Sequence, residues 1–188
     1  GRQDNLKYEK TKDRDIDWIK MLKLINRNIT LFENDLEYLS MDLLSKVAKS
    51  SFLVIGGGGS IGQAVVKEIF KRDPRILHVV DINENSIVEL VRDIRSKYGY
   101  INGDFQTFTI DASSIEFYAL LNNYENYDYI LNLSALKHVR NEKDPYTLMR
   151  MLYTNIIMTT EIMKYFCTKQ AKNYFCVSTD KAANPVNL

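Results

Sequence analysis

Between Ile55 and Gln63 the chain carries five glycines in seven residues, Gly56-Gly57-Gly58-Gly59-Ser60-Ile61-Gly62. An apolar run of strand length, Phe52–Ile55, precedes them. A segment with helical spacing, Ile61–Lys71, comes next. Gly56, Gly59 and Gly62 give the spacing GxxGxxG. A strand that turns directly into a helix needs residues without a Cβ at the turn and wherever helix and strand approach closely. The helix start then offers unpaired N–H groups and partial positive charge, which suits a phosphate. A glycine loop alone is also compatible with a linker that binds nothing. The residues beyond the loop decide between the two.

After Ser51 the pattern alternates. Strand candidates are Phe52–Ile55, Ile76–Val80, Phe105–Ile110, Tyr129–Leu133 and Asn173–Val177, each short and rich in β-branched or aromatic residues. Helix candidates fill the intervals: Ile61–Lys71, Glu84–Tyr98, Ser114–Asn122 and Pro145–Thr168. Pro145 suits the first turn of a helix, where its missing N–H costs nothing. Such alternation implies an α/β fold, a Rossmann-type doubly wound parallel sheet with right-handed crossovers. Before it, Ile16, Ile19, Leu22 and Ile25 recur at steps of three. Leu36, Leu39, Leu43 and Val47 form a second stripe, with Asn34 or Asp35 as a candidate cap. Residues 1–50 therefore read as an N-terminal helical extension that packs or oligomerises, and residues 51–188 as the nucleotide-binding domain.

In this fold an acid at the end of the second strand hydrogen-bonds the adenosine ribose and repels a 2′-phosphate. Asp81 stands at that place, 19 residues after Gly62. NAD is thus expected rather than NADP. Asp111 comes directly after the third strand. Either Asp111, with Ala112, touches the adenine edge, or it caps the helix from Ser113.

Lys+Arg is 25 and Asp+Glu is 24 in 188 residues, which speaks against a nucleic-acid partner held by bulk charge. No apolar run approaches the roughly 18 residues of a membrane span. The highly charged start is unlike a signal peptide, so the expected compartment is the cytoplasm. Gly1 reads as a cut point. Cys167 and Cys176 cannot make a disulfide framework and are expected as reduced core thiols. No His/Cys cluster has metal-ligand spacing, so no metal is expected. Trp18 and the tyrosines are scattered and read as core or interface residues.

The fourth strand runs into Ser134-Ala135-Leu136-Lys137-His138-Val139, with Glu142 and Pro145 beyond. The fifth runs into Ser178-Thr179-Asp180-Lys181-Ala182-Ala183-Asn184-Pro185. Ligands of open α/β sheets bind at the carboxyl ends of the strands. Ser, Thr, Asp and Lys in a row there suggest chemistry, the alternative being a solvated ion pair in a loop. The combination of GGGGSIG, SALKHV and STDKAANP resembles the extended short-chain dehydrogenase/reductase family. Within it, the chain resembles the nucleotide-sugar 4,6-dehydratases of polysaccharide and flagellin-sugar biosynthesis, over Phe52 to Leu188. Ile55 stands where the family often has Thr, and Met158 where it usually has Gly. The family's Tyr or Met followed by Lys, and its sugar-binding C-terminal region, lie past Leu188. Residues 1–188 alone are therefore not expected to form a complete active site.

The resemblance implies a UDP-sugar substrate, UDP-N-acetylglucosamine, and a homo-oligomer. Hydride leaves C4 of the sugar for the cofactor, the C5 proton is removed, water leaves from C6, and the hydride returns to C6. Lys181 corresponds to the base for the C5 proton, which requires a lowered pKa. Asp180 corresponds to the acid that protonates the C6 hydroxyl, which requires a raised one. Thr179 would hold the C4 oxygen. Lys137 would contact the cofactor ribose or a substrate oxygen. His138 is either a substrate contact or a packed or solvent-facing histidine. The cofactor set comprises Gly56, Gly59, Ser60, Ile61 and Gly62 in the loop. It continues through Asp81, Asp111 and Ala112 to Ser134, Ala135, Lys137, Asn155 and Ser178. Two other readings stand beside the lyase: a nucleotide-sugar epimerase or reductase, and a non-catalytic NAD-binding assembly protein.

Overall fold

The computed structural model describes residues 22–27, 33–124, 126–134, 144–169 and 171–177. The chain divides into two compact units, Gly1–Asp42 and Leu43–Leu188. In the first, helix α1 (Glu33–Tyr38) leaves Leu36 and Tyr38 exposed. Helix α2 (Ser40–Ala48) begins there and ends in the second unit, where its Val47 packs against that unit's buried cluster.

The second unit alternates strictly. Strand β1 (Ser51–Ile55) leads to α3 (Ser60–Phe70), then β2 (Ile76–Asp81) to α4 (Glu84–Tyr98). Strand β3 (Asp104–Thr109) leads to α5 (Ile115–Asn123), and β4 (Tyr129–Asn132) precedes α6 (Pro145–Leu152). A π-helical segment, Tyr153–Met158, joins α6 to α7 (Thr159–Thr168), and β5 (Asn173–Cys176) closes the order. The five strands form one parallel sheet in the order β3-β2-β1-β4-β5. This is the Rossmann-type doubly wound arrangement, and its order reverses between β1 and β4.

All five residues of β1 are buried, as a central parallel strand covered on both faces must be. Side chains alternate across a strand. Leu53 and Ile55 therefore join Phe117, Leu121, Ile162 and Phe166 on one face, while Phe52 and Val54 join Val66, Phe70, Leu90 and Ile94 on the other.

Polar groups tie the strand starts together. The carboxylate of Asp128, just before β4, accepts from the Ser51 N–H (2.9 Å) and the Ser51 hydroxyl (3.0 Å). It pairs with Lys172 (2.8 Å) before β5 and Arg75 (3.5 Å) before β2. Burial pushes this carboxyl up, but Lys172 and the Ser51 donors outweigh it and bring its pKa down to about 2. His78 is fully buried in β2, with Nε2 3.0 Å from Asp104 and Nδ1 2.6 Å from the Tyr127 hydroxyl. Burial holds its pKa below the usual histidine value, although Asp104 pulls the other way. A neutral ring that donates to Asp104 accepts from Tyr127, so both nitrogens are satisfied.

Two expectations are corrected. The helix expected without a break over Pro145–Thr168 is interrupted by a π-helical segment at Tyr153–Met158. Cys167 and Cys176 are exposed and are not core thiols. Cys176 ends an edge strand, and Cys167 lies one helical turn beyond the exposed Met163. Among the described residues no helix is long and apolar enough to cross a membrane.

Because Asp128 is more acidic folded than unfolded, its contribution is complete above the unfolded value of 3.8 and is lost as pH falls through about 2. Asp128→Asn is expected to lower unfolding free energy by about 2 kcal/mol at pH 7. Urea denaturation checks this, and the gap between variant and parent should narrow below pH 3.8. Equal midpoints at pH 7 would contradict the role given to this cluster.

Candidate functional site

At the carboxyl ends of the strands lies an open cleft. Gly56 and Gly59 form its floor, Asp81, Asp111 and Ala112 one side, and Ser134, Arg150, Thr154 and Met158 the other. It sits over the strand-order reversal, where this fold holds a dinucleotide.

The glycine loop is built by close approach. Gly56 has φ +79°, and a Cβ there would lie 2.6 Å from the Ser134 nitrogen. At Gly62 a Cβ would lie 2.2 Å from the Gly56 carbonyl oxygen, so helix α3 can sit down on the loop only through glycine. Gly59 differs: a Cβ there would meet only the Gly56 oxygen, at 3.7 Å. It is the N-cap of α3, its φ of −69° is ordinary, and it offers the helix start no side-chain cap. Ser60 and Ile61 are exposed beside it. An uncapped helix start facing a cleft, with room above its glycine, fits a pyrophosphate group.

Asp81 stands at the cleft wall. Its Oδ2 accepts from the Gly58 N–H (2.8 Å) and its Oδ1 from the Asn83 N–H (2.9 Å). The carboxylate thus fixes the loop to the end of β2 and keeps lone pairs for further donors. Asp111 accepts from the Ser113 N–H (2.8 Å) and the Ser113 hydroxyl (2.6 Å). The cap of α5 is Ser114, whose oxygen accepts from the Phe117 N–H, so Asp111 shapes the turn that leads into the cap.

The cleft brings together Gly56, Gly59, Asp81, Asp111, Ala112 and Ser134 from the sequence-based set. Asn155 is exposed on the π-helical segment and does not line the cleft, whereas its neighbour Thr154 does. Ala135, Lys137, His138, Ser178, Thr179, Asp180 and Lys181 lie outside the described residues. Sequence reasoning missed Arg150, Thr154 and Met158. Their spacing of four marked one helical face, and that periodicity was the available signal. It also missed Gly58 as the partner of Asp81, a contact that only the folded loop creates.

Comparison with known proteins bears on family and fold. Residues 52–188 match a family described as polysaccharide biosynthesis protein. An uncharacterised membrane protein of Methanocaldococcus jannaschii is 31% identical over 148 residues, covering 78% of this chain and 41% of the relative. The capsular polysaccharide biosynthesis protein CapD of Staphylococcus aureus is 28% identical over 158 residues, covering 83% of this chain and 25% of the relative. Among solved structures, a UDP-glucose-4-epimerase from Stenotrophomonas maltophila with bound NAD and formylated UDP-arabinopyranose shares the fold. Its TM-score is 0.56 at 21% identity, with 70% of this chain and 38% of that chain covered. The chain thus spans less than half the length of these relatives.

Two alanine substitutions separate the parts of the loop. Gly62→Ala is expected to cost about 1–3 kcal/mol, because the loop backbone must shift. Gly59→Ala is expected to change stability by less than about 1 kcal/mol, since its φ and its surroundings admit a methyl group. Thermal or urea unfolding of both variants checks the difference, and equal losses would contradict the loop geometry.

Proposed function

The chain belongs to the polysaccharide biosynthesis protein family, and from that premise we propose that it is the dinucleotide-binding part of a nucleotide-sugar 4,6-dehydratase. The substrate proposed is UDP-N-acetylglucosamine and the product its 4-keto-6-deoxy derivative, made for a surface polysaccharide or glycan. The observation that carries the reading is the uncapped start of α3, opening on a cleft at the strand-order reversal inside a domain of this family.

When bound, the nicotinamide cofactor supplies a reversible store for one hydride. The amides of Gly59, Ser60 and Ile61 would hold its pyrophosphate. Asp81 would accept from the adenosine ribose hydroxyls, and its negative charge disfavours a 2′-phosphate, which supports NAD over NADP. Asp111 and Ala112 would border the adenine, and Ser134 the opposite half of the cofactor. Ala135, Asn155 and Ser178 complete the cofactor set as proposals from sequence.

The chemistry is assigned to residues beyond β4 and β5. Lys181 removes the C5 proton, Asp180 delivers a proton to the departing C6 hydroxyl, and Thr179 holds the C4 oxygen. Lys137 and His138 would bind sugar or ribose oxygens. The register that pairs Asn132 with Cys176 supports this grouping, because it ends β4 and β5 side by side. The solved epimerase with NAD and a UDP-sugar supports the ligand class through a shared fold. A homo-oligomer is proposed on the helical run after Pro145, where Tyr146, Met149, Tyr153, Ile156 and Met163 are all exposed.

Incubating the whole protein with UDP-N-acetylglucosamine and following the product by mass spectrometry tests the reading. Loss of one water with formation of a 4-keto group is expected, and Lys181→Ala should abolish turnover while NAD still binds. A 4-epimer of unchanged mass would contradict the dehydratase. Turnover untouched by Lys181→Ala would contradict the assigned base.

A further inference from the structure

Asn132, the last residue of β4, is fully buried although its side chain is polar. Its Oδ1 accepts from the Ser134 N–H (3.2 Å) and from the Ser134 hydroxyl (2.6 Å). Its Nδ2 donates to the Tyr174 hydroxyl on β5 (3.0 Å) and to Thr159 Oγ1 at the start of α7 (3.4 Å). Two acceptor sites and two donors are all a carboxamide possesses, so every one is used. The orientation of the amide is not free. A backbone N–H can only donate, so the atom facing Ser134 must be the oxygen, and the Ser134 hydroxyl must donate to it as well.

From this geometry we infer that Asn132 is a positioning residue for the cofactor cleft. It commits the Ser134 hydroxyl proton inward, so that Ser134 meets the cofactor as a hydrogen-bond acceptor. The inference rests on the cofactor reading given above. Ser134 lines the cleft on the β4 side of the strand-order reversal, opposite Asp81 and Asp111. With the adenosine on the acidic side, Ser134 faces the half of the dinucleotide that carries the nicotinamide. A hydroxyl whose proton is already given away accepts from a ribose hydroxyl or a carboxamide N–H and does not compete as a donor. The same amide reaches the other part of this wall. Thr159 Oγ1 lies 3.5 Å from the Thr154 carbonyl, which ties Asn132 to the π-helical segment that puts Thr154 and Met158 into the cleft. π-helical turns inside α-helices are frequent at functional sites.

The test compares two ligands on the whole protein by calorimetry, NAD and ADP. ADP carries only the adenosine diphosphate half. Asn132→Leu removes the acceptor and frees the Ser134 hydroxyl. It is expected to weaken NAD by about tenfold, the size of one lost hydrogen bond, and to leave ADP within about twofold. Ser134→Ala should produce the same NAD-selective loss, and the double variant should lose no more than the worse single one. If Asn132→Leu does not fold, Thr159→Val combined with Tyr174→Phe removes both partners of the amide N–H groups. That pair should again weaken NAD and spare ADP. Equal weakening of both ligands, additive losses in the double variant, or unchanged NAD binding overturns the assignment. Wild-type protein that takes up neither ligand overturns the cofactor reading and this assignment with it. Wild-type binding that the variants leave intact overturns the assignment alone.

Discussion

The approach of Gly62 to the carbonyl oxygen of Gly56 sets the position of everything else in the site. A side chain at Gly62 would lie 2.2 Å from that oxygen, so helix α3 can start directly above the end of β1 only because no side chain is there. That start aims the helix dipole and its unpaired N–H groups at the reversal of strand order. Asp81 then fixes the loop from the β2 side through the Gly58 amide, and Ser134 closes on Gly56 from the β4 side. One steric constraint thus draws together the ends of three strands, and the cleft is the space they leave.

The two sides of the cleft are held by different means. On the acidic side the fixing groups are carboxylates near solvent, Asp81 and Asp111, each accepting from backbone N–H groups of its own turn. On the other side the fixing group is a buried neutral amide, Asn132, with all four hydrogen-bonding positions taken. A buried, fully paired amide has one geometry, whereas a half-buried carboxylate keeps lone pairs for further donors. The rigid wall is the one that would face the reacting half of the cofactor. At the opposite end of the strands, Asp128 and His78 tie elements together without bordering the cleft.

Much of this was legible in the residues. The apolar run Phe52–Ile55, the glycine spacing after it and the acid at the end of the next strand each report a local requirement. Five strands and their order in the chain came from alternation alone. The features that sequence did not carry depend on distant partners. Nothing near Gly58 announces that its amide will bind Asp81. Asn132 reads as one more residue of a short strand: two of its bonds stay local, to Ser134, and the two that order its amide reach Thr159 on α7 and Tyr174 on β5. The π-helical turn lies inside an unbroken helical pattern. Cys176 looked interior by its apolar neighbours, but β5 is an edge strand and leaves it exposed. The assignments to Thr179, Asp180 and Lys181 rest on a resemblance in sequence, and those to the glycine loop on geometry.

The hydride that leaves C4 of the sugar is proposed to return to C6 after storage on the bound cofactor. Substrate carrying deuterium at C4 tests this most directly. Turnover of UDP-[4-²H]-N-acetylglucosamine by the whole protein should yield product with the deuterium at C6, located by NMR. Deuterium that stays at C4, or that is lost to the solvent, would contradict the claim.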